Sequence, residues 1–229
     1  MDMKILITSG GTTEAIDSVR GITNHSTGKL GKRIAETFVA KGHHVTLVTT
    51  KQALKPKASN LLTIEVIDNV ASLEQILKIL VPKHDVMIHA MAVSDYTPVY
   101  MADLEEVKQT DIDTLLHTKN QETKISSRSE YQVLFLKKTP KIISLVKQWY
   151  PGIKLIGFKL LVAVSQEELL AVARESLVKN QADLIVANDL SQISGETHPA
   201  FFVKANSVTE AATKEDIAQL LYNEVITND

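Results

Sequence analysis

A chain of 229 residues can bury a substantial core, and its length fits one large α/β domain at least as well as two small ones. With 25 basic against 27 acidic residues, the overall charge supports neither a nucleic-acid nor a membrane partner, so any anion site must be local. The chain has no cysteine, which excludes disulfides, thiolate metal sites and cysteine nucleophiles.

Met1 to Lys4 runs into Ile5-Leu6-Ile7, too short an apolar stretch for a signal segment, and no run approaches the ~18 apolar residues that span a bilayer. The expectation is a soluble, cytoplasmic protein. Lys4 to Thr8 reads as the first strand, buried on both faces because its apolar residues are consecutive. The loop Ser9-Gly10-Gly11-Thr12-Thr13 follows. Leu30, Ile34, Ala35, Phe38 and Val39 form one helical stripe between about 27 and 41, closed by Gly42. Strands are expected at 45–49, 61–67 and 85–92, with a helix marked by Leu73, Ile76, Leu77 and Leu80 between the last two.

Residues 97–128 break this rhythm, being polar and poor in large apolar side chains, as in a flap, an arm or a disordered loop. Beyond them 131–136 is strand-like, 140–149 helical, 155–161 strand-like, 166–179 helical and 183–186 a short strand. Phe201-Phe202-Val203 and Val208-Thr209 suit a hairpin, and Thr213 with Asp216 resembles the start of a last helix. Strands alternating with helices require a doubly wound, mainly parallel, Rossmann-like α/β sheet, here as one domain of 1–229 with 97–128 as an extended arm or flap.

Ligands of such sheets bind at the carboxyl ends of strands, where helix N-termini and loop amides converge. Four clusters follow strands. The first runs from Ser9-Gly10-Gly11-Thr12 through Asp17-Ser18-Val19-Arg20 to Asn24-His25-Ser26-Thr27-Gly28-Lys29 and suits a phosphate, unless the glycines only turn the chain and 24–26 only cap a helix. The second, Met91 to Tyr96, puts Asp95 where a carboxylate can meet a ribose or a magnesium ion, or simply occupy an exposed loop. The third, Lys124-Ile125-Ser126-Ser127-Arg128, offers a lysine able to neutralise a triphosphate. The fourth is Gly157-Phe158-Lys159 with Lys179-Asn180; Phe158 suits either a base or the core. No G-x-G-x-x-G or P-loop is present.

In this order the clusters resemble phosphopantothenate–cysteine ligase over essentially the whole chain. The family's D-x-V-R element is similar to Asp17–Arg20, its N-x-S-x-G to Asn24–Gly28, its A-A-V-A-D-Y/W to Met91–Tyr96, its K-I-K/S to Lys124–Ser126, its G-F to Gly157-Phe158 and its A-N-D to Ala187-Asn188-Asp189. The resemblance implies that 4'-phosphopantothenate and L-cysteine are joined through an acyl-nucleotide, with a nucleoside triphosphate and Mg2+, by a cytoplasmic homodimer without the fused flavin-dependent decarboxylase, which would be a separate protein.

By resemblance Lys124 would serve the first half-reaction and Asn24 the second. Ala90, Met91, Asp95, Pro140, Phe158 and Lys179 would line the nucleotide pocket, Gly10, Gly11, Ser26 and Gly28 would bind substrate phosphate, and Asp95 would touch a metal held mostly by the triphosphate. Ser18, Met91, Lys141 and Glu175 depart from the common bacterial pattern, and Phe158-Lys159-Leu160 resembles the eukaryotic branch, so CTP is the first choice and ATP the second. The rival readings are a non-catalytic nucleotide-binding subunit and a nicotinamide-dependent oxidoreductase, which would need an acid after the second strand where Thr49-Thr50-Lys51 stands.

Overall fold

The computed structural model describes residues 3–120, 124–126 and 129–227. Ser127 and Arg128 of the third cluster lie outside the described residues. Eight strands form the central sheet: β1 (Lys4–Ser9), β4 (His44–Thr50), β5 (Leu62–Ile67), β6 (Val86–His89), β9 (Lys154–Leu161), β10 (Leu184–Asp189), β11 (Thr197–Val203) and β12 (Val208–Thr213). Their order is β12-β11-β10-β9-β6-β1-β4-β5. The six from β5 to β10 are parallel, and β11 and β12 close one edge as an antiparallel hairpin. The direction of winding reverses between β1 and β6, so the crevice of a doubly wound sheet opens there.

The consecutive apolar residues of the inner strands serve two cores. Ile5, Ile7, Val86 and Ile88 face α1 (Lys29–Ala40) and α7 (Lys214–Ile226), packing on Ile34, Phe38, Ile217 and Leu221. Leu6, Met87 and Leu155 face α2 (Val70–Leu80) and α5 (Ile142–Trp149), packing on Leu73, Leu77, Ile142 and Val146. α6 (Gln166–Lys179) covers Ile185, Ala187 and Val203 through Leu169, Ala173 and Leu177. Each fully buried Leu, Ile, Val, Met or Phe among these contributes roughly 1.5–3 kcal/mol of transfer free energy, which holds the strands in place. The expected cap of the last helix is present, with Thr213 and Asp216 forming a reciprocal capping box.

Two regions differ from the sequence expectation. The stretch after the Gly-rich loop is a small hairpin, β2 (Thr13–Ala15) with β3 (Gly21–Thr23), anchored where the buried Glu14 accepts the Val70 amide at the start of α2 (2.8 Å). Residues 97–128 are also more regular than their composition suggests. β7 (Tyr96–Asp103) pairs with β8 (Gln132–Lys138) in a separate antiparallel ribbon, and two six-residue helices, α3 (Leu104–Gln109) and α4 (Ile112–His117), follow β7. β8 therefore lies outside the central sheet. The ribbon is held by a ladder between residues from 29 (Asp103 with Gln132) to 42 (Tyr96 with Lys138) positions apart, so neither half needs a periodic apolar face.

Candidate functional site at the carboxyl ends of β1 and β6

β1 and β6 continue to pair beyond their formal ends. The Ala90 amide donates to Thr8, Ala92 to Gly10 and Thr12 to Ala92, at 3.2, 2.9 and 3.0 Å. This zipper carries both loops forward together. Thr12 Oγ1 accepts the Ser94 amide at 2.9 Å and donates to Ser94 Oγ at 3.0 Å, while Thr139 Oγ1 donates to the Ser94 carbonyl at 2.6 Å. Three distant segments thereby share one buried polar knot, whose members satisfy each other as buried hydroxyls must.

Asn24 closes onto this knot. Its Nδ2 donates to the Val93 carbonyl (3.3 Å), Ser94 Oγ donates to its Oδ1 (3.5 Å), and its amide donates to Thr12 (3.4 Å). Asn24 therefore does not cap α1: Gly28 stands at the N-cap, with φ 73° and no side-chain cap. The first turn of α1 has no acidic residue, and only its Lys29 amide meets a side chain, Thr27 Oγ1 at 3.4 Å, so the charge there favours an anion. Gly11 is required by close approach, since a Cβ there would lie 2.1 Å from the Asn24 carbonyl oxygen. Ser26 is exposed beside Gly11, and the loop from Thr50 to Leu54 packs under Gly10 and Gly28.

Beside the knot, a cleft of about 110 Å3 is lined by Met91, Asp95, Pro140 and Phe158, and also by His89, Lys141 and Asn180. Four of the expected nucleotide residues thus meet in one place. Phe158 packs partly on the core and also lines the cleft. Ala90 contributes its amide to the strand zipper. Lys179 lines an adjoining recess with Ser144 and Lys147, and Asn180 borders both spaces. Asp95 is exposed and paired with Lys141 Nζ at 3.1 Å. Among the described residues no group of three or more His, Asp or Glu side chains can hold a metal.

Sequence reading passed over His89 and Thr139 as parts of this site. His89 ends an otherwise apolar strand, where only the fold reveals that its Nδ1 meets Thr8 Oγ1 at 2.7 Å. Burial, aided by the Lys141 charge, lowers its pKa to about 4, so the cleft floor carries a neutral imidazole near pH 7. Thr139 could have been noticed only from the register that folds β8 back to Asp95, whose carbonyl accepts the Thr139 amide at 3.0 Å.

Lys124 is exposed on the return from the arm. Its neighbour Ile125 is buried, and the backbone of Ile125 is held by the β2–β3 hairpin: its amide donates to Asp17 Oδ2 (3.2 Å), and Arg20 Nη2 donates to its carbonyl (3.0 Å). The Arg20 guanidinium, assisted by backbone amides, holds the Asp17 carboxyl well below the usual carboxylate range.

The strand order and the loops gathered at the switch point define a Rossmann-like α/β protein with its candidate site between β1 and β6. The family described as DNA/pantothenate metabolism flavoprotein C-terminal domain matches residues 1–228, and the chain belongs to it. The DNA/pantothenate metabolism flavoprotein of Streptococcus pneumoniae is 57% identical, superimposes with a TM-score of 0.93, and is covered over 98% of its chain by 97% of this one. The C-terminal domain of the coenzyme A biosynthesis bifunctional protein CoaBC is 26% identical with a TM-score of 0.72, over 97% of this chain and 93% of that one. In sequence, the bifunctional protein CoaBC of Thermococcus kodakarensis is 34% identical over 97% of this chain and 50% of its own length. The chain thus spans about half of the curated relatives it matches. The family resemblance read from the ordered motifs holds.

Proposed function

We propose that the protein is an amide-forming ligase that joins 4'-phosphopantothenate to L-cysteine through an acyl-nucleotide. The observation that carries this reading is the anchoring of Asn24 to Val93 and Ser94 at the switch point, directly beside the cleft lined by Met91, Pro140 and Phe158. Membership of a family whose relatives include bifunctional coenzyme A biosynthesis proteins supports it.

A carboxylate is a poor acyl donor until one oxygen becomes part of a good leaving group. In the first half-reaction the phosphopantothenate carboxylate attacks the α-phosphorus of the nucleotide; the α–β phosphoanhydride bond breaks and pyrophosphate leaves. The Lys124 ammonium lowers the barrier by offsetting charge that grows on the departing phosphates. In the second half the cysteine amine attacks the acyl carbon, and the nucleoside monophosphate departs as the amide forms. The Asn24 amide group is a neutral donor for the oxyanion of that addition. The open turn at Gly28 and the exposed Ser26 suit the substrate phosphate.

Mg2+ would offset triphosphate charge and be ligated chiefly by phosphate oxygens, since among the described residues lining the cleft the one carboxylate is Asp95, already paired with Lys141. CTP is the first candidate nucleotide and ATP the second. A homodimer built through the arm fits the exposure of Tyr96, Tyr131 and Leu136, and a flavin-dependent decarboxylase is the natural supplier of the following step. No described helix is long and apolar enough to cross a membrane.

The reading is tested by incubating the protein with phosphopantothenate, Mg2+ and each of four nucleoside triphosphates. Pyrophosphate should appear with CTP or ATP before any cysteine is added, and amide only afterwards. No pyrophosphate with either nucleotide would exclude the ligase and leave a nucleotide-binding subunit.

A further inference from the structure

The Asp17–Arg20 pair has a use that its own hairpin does not require. The turn is already closed by backbone bonds from Ile16 and Asp17 to the Arg20 carbonyl, and by Asp17 Oδ1 accepting the Val19 and Arg20 amides at 2.9 and 2.8 Å. The other carboxylate oxygen and the guanidinium are turned outward from that turn. Arg20 Nε and Nη2 donate to Asp17 Oδ2 at 3.0 and 2.6 Å, and together the two side chains take both the N–H and the C=O of Ile125, more than a hundred residues away. The Asp17 side chain is only 1% exposed despite its charge. A carboxylate kept out of water needs a compensating partner, and here that partner is shared with a peptide unit from another segment.

Resting on the ligase reading, we propose that Asp17 and Arg20 are positioning residues for Lys124: they fix the adjacent peptide and so hold the lysine in reach of the transferring phosphates. The geometry favours this assignment for two reasons. Gripping both polar groups of one residue sets the direction of the chain as a strand partner would, which sets where the preceding side chain leaves the backbone. The hairpin that grips also runs directly from Gly11 into Asn24, so the clamp ties the Lys124 segment to the same rigid strand ends as the rest of the site. Removing the grip leaves the lysine present but not held, and such misplacement costs rate more than affinity.

The test combines kinetics with exchange. In pyrophosphate release without cysteine, Arg20→Gln and Asp17→Asn should each lower kcat about tenfold or more while the nucleotide KM changes less than about threefold. Arg20→Lys, which can reach the carboxylate or the Ile125 carbonyl but not fork between them, should recover only part of the loss. Arg20→Gln combined with Lys124→Gln should be no slower than Lys124→Gln alone, because the clamp acts through the lysine. The Ile125 amide should be protected from hydrogen exchange in the wild type and lose at least about tenfold of that protection in Asp17→Asn. A folded Arg20→Gln protein with wild-type kcat, or a double variant whose loss is the product of the single losses, overturns the inference and leaves the ligase standing. A wild-type protein that releases no pyrophosphate overturns both.

Discussion

The central sheet and the β7–β8 arm hold their strands by different means. In β1 every residue from Ile5 to Ser9 is buried, between helices on both faces, and its pairing with β6 runs on into the loops that carry Gly11 and Ala92. In the arm, Tyr96, Tyr131 and Leu136 are 51%, 63% and 43% exposed, and the ladder between the strands is supplemented by a few buried side chains such as Ala102 and Leu115 and by Asn120 bonding the Met101 backbone. Packing therefore fixes the strand ends from which the hydrogen bonds to Asn24 start. The arm delivers Lys124 through a chain that packing alone does not fix, and its return is tied down by discrete polar contacts, Thr139 to Ser94 and Asp95 at one end and Asp17–Arg20 to Ile125 at the other. The proposed site thus draws on a rigid half and a tethered half.

The contrast can be broken first on the rigid side. Gly11→Ala puts a methyl group into the Asn24 carbonyl, so amide formation should fall roughly a thousandfold and stability by about 2–3 kcal/mol, measured by steady-state assay and urea unfolding. If both stay near wild type, the strand-end loops are softer than the packing implies.

Acid should next find the same half. His89 has its pKa lowered to about 4, so below about 6.5 the unfolded chain takes up a proton that the native cleft refuses. The stability contribution is whole above that pH and lost as pH falls toward 4, by about 3 kcal/mol. His198, lowered likewise to about 4, adds to the same slope. Denaturant unfolding from pH 7.5 to 4 should show His89→Gln with a shallower loss than the wild type.

On the tethered side Lys124→Gln should slow pyrophosphate release about a hundredfold while stability stays within about 0.5 kcal/mol, because the lysine is exposed and the fold does not lean on it. Comparable losses of stability and rate would make it a structural residue. The smallest effect on folding is expected in the ribbon itself, where Leu136→Lys should change monomer stability by less than about 0.5 kcal/mol. If the proposed homodimer forms through the arm, the same substitution should shift the sedimentation coefficient from dimer to monomer; an unchanged value removes the arm as the subunit contact.

The sequence alone determined the alternation of strands and helices, the hairpin at the closing edge and the cap on α7, because each is written in neighbouring residues: apolar runs, helical stripes, a Thr with an Asp three positions on. It also marked the strand-end motifs in order, since loops that carry chemistry are polar where the strands before them are not. Tertiary structure alone decided that Asn24 turns to Val93 and Ser94 instead of capping a helix, that His89 underlies the cleft, and that β8 leaves the sheet to pair with β7. It also decided that Asp17 and Arg20 reach Ile125. These contacts join residues tens of positions apart, and their bonds form only once helix packing has brought the strand ends together; no local periodicity encodes them.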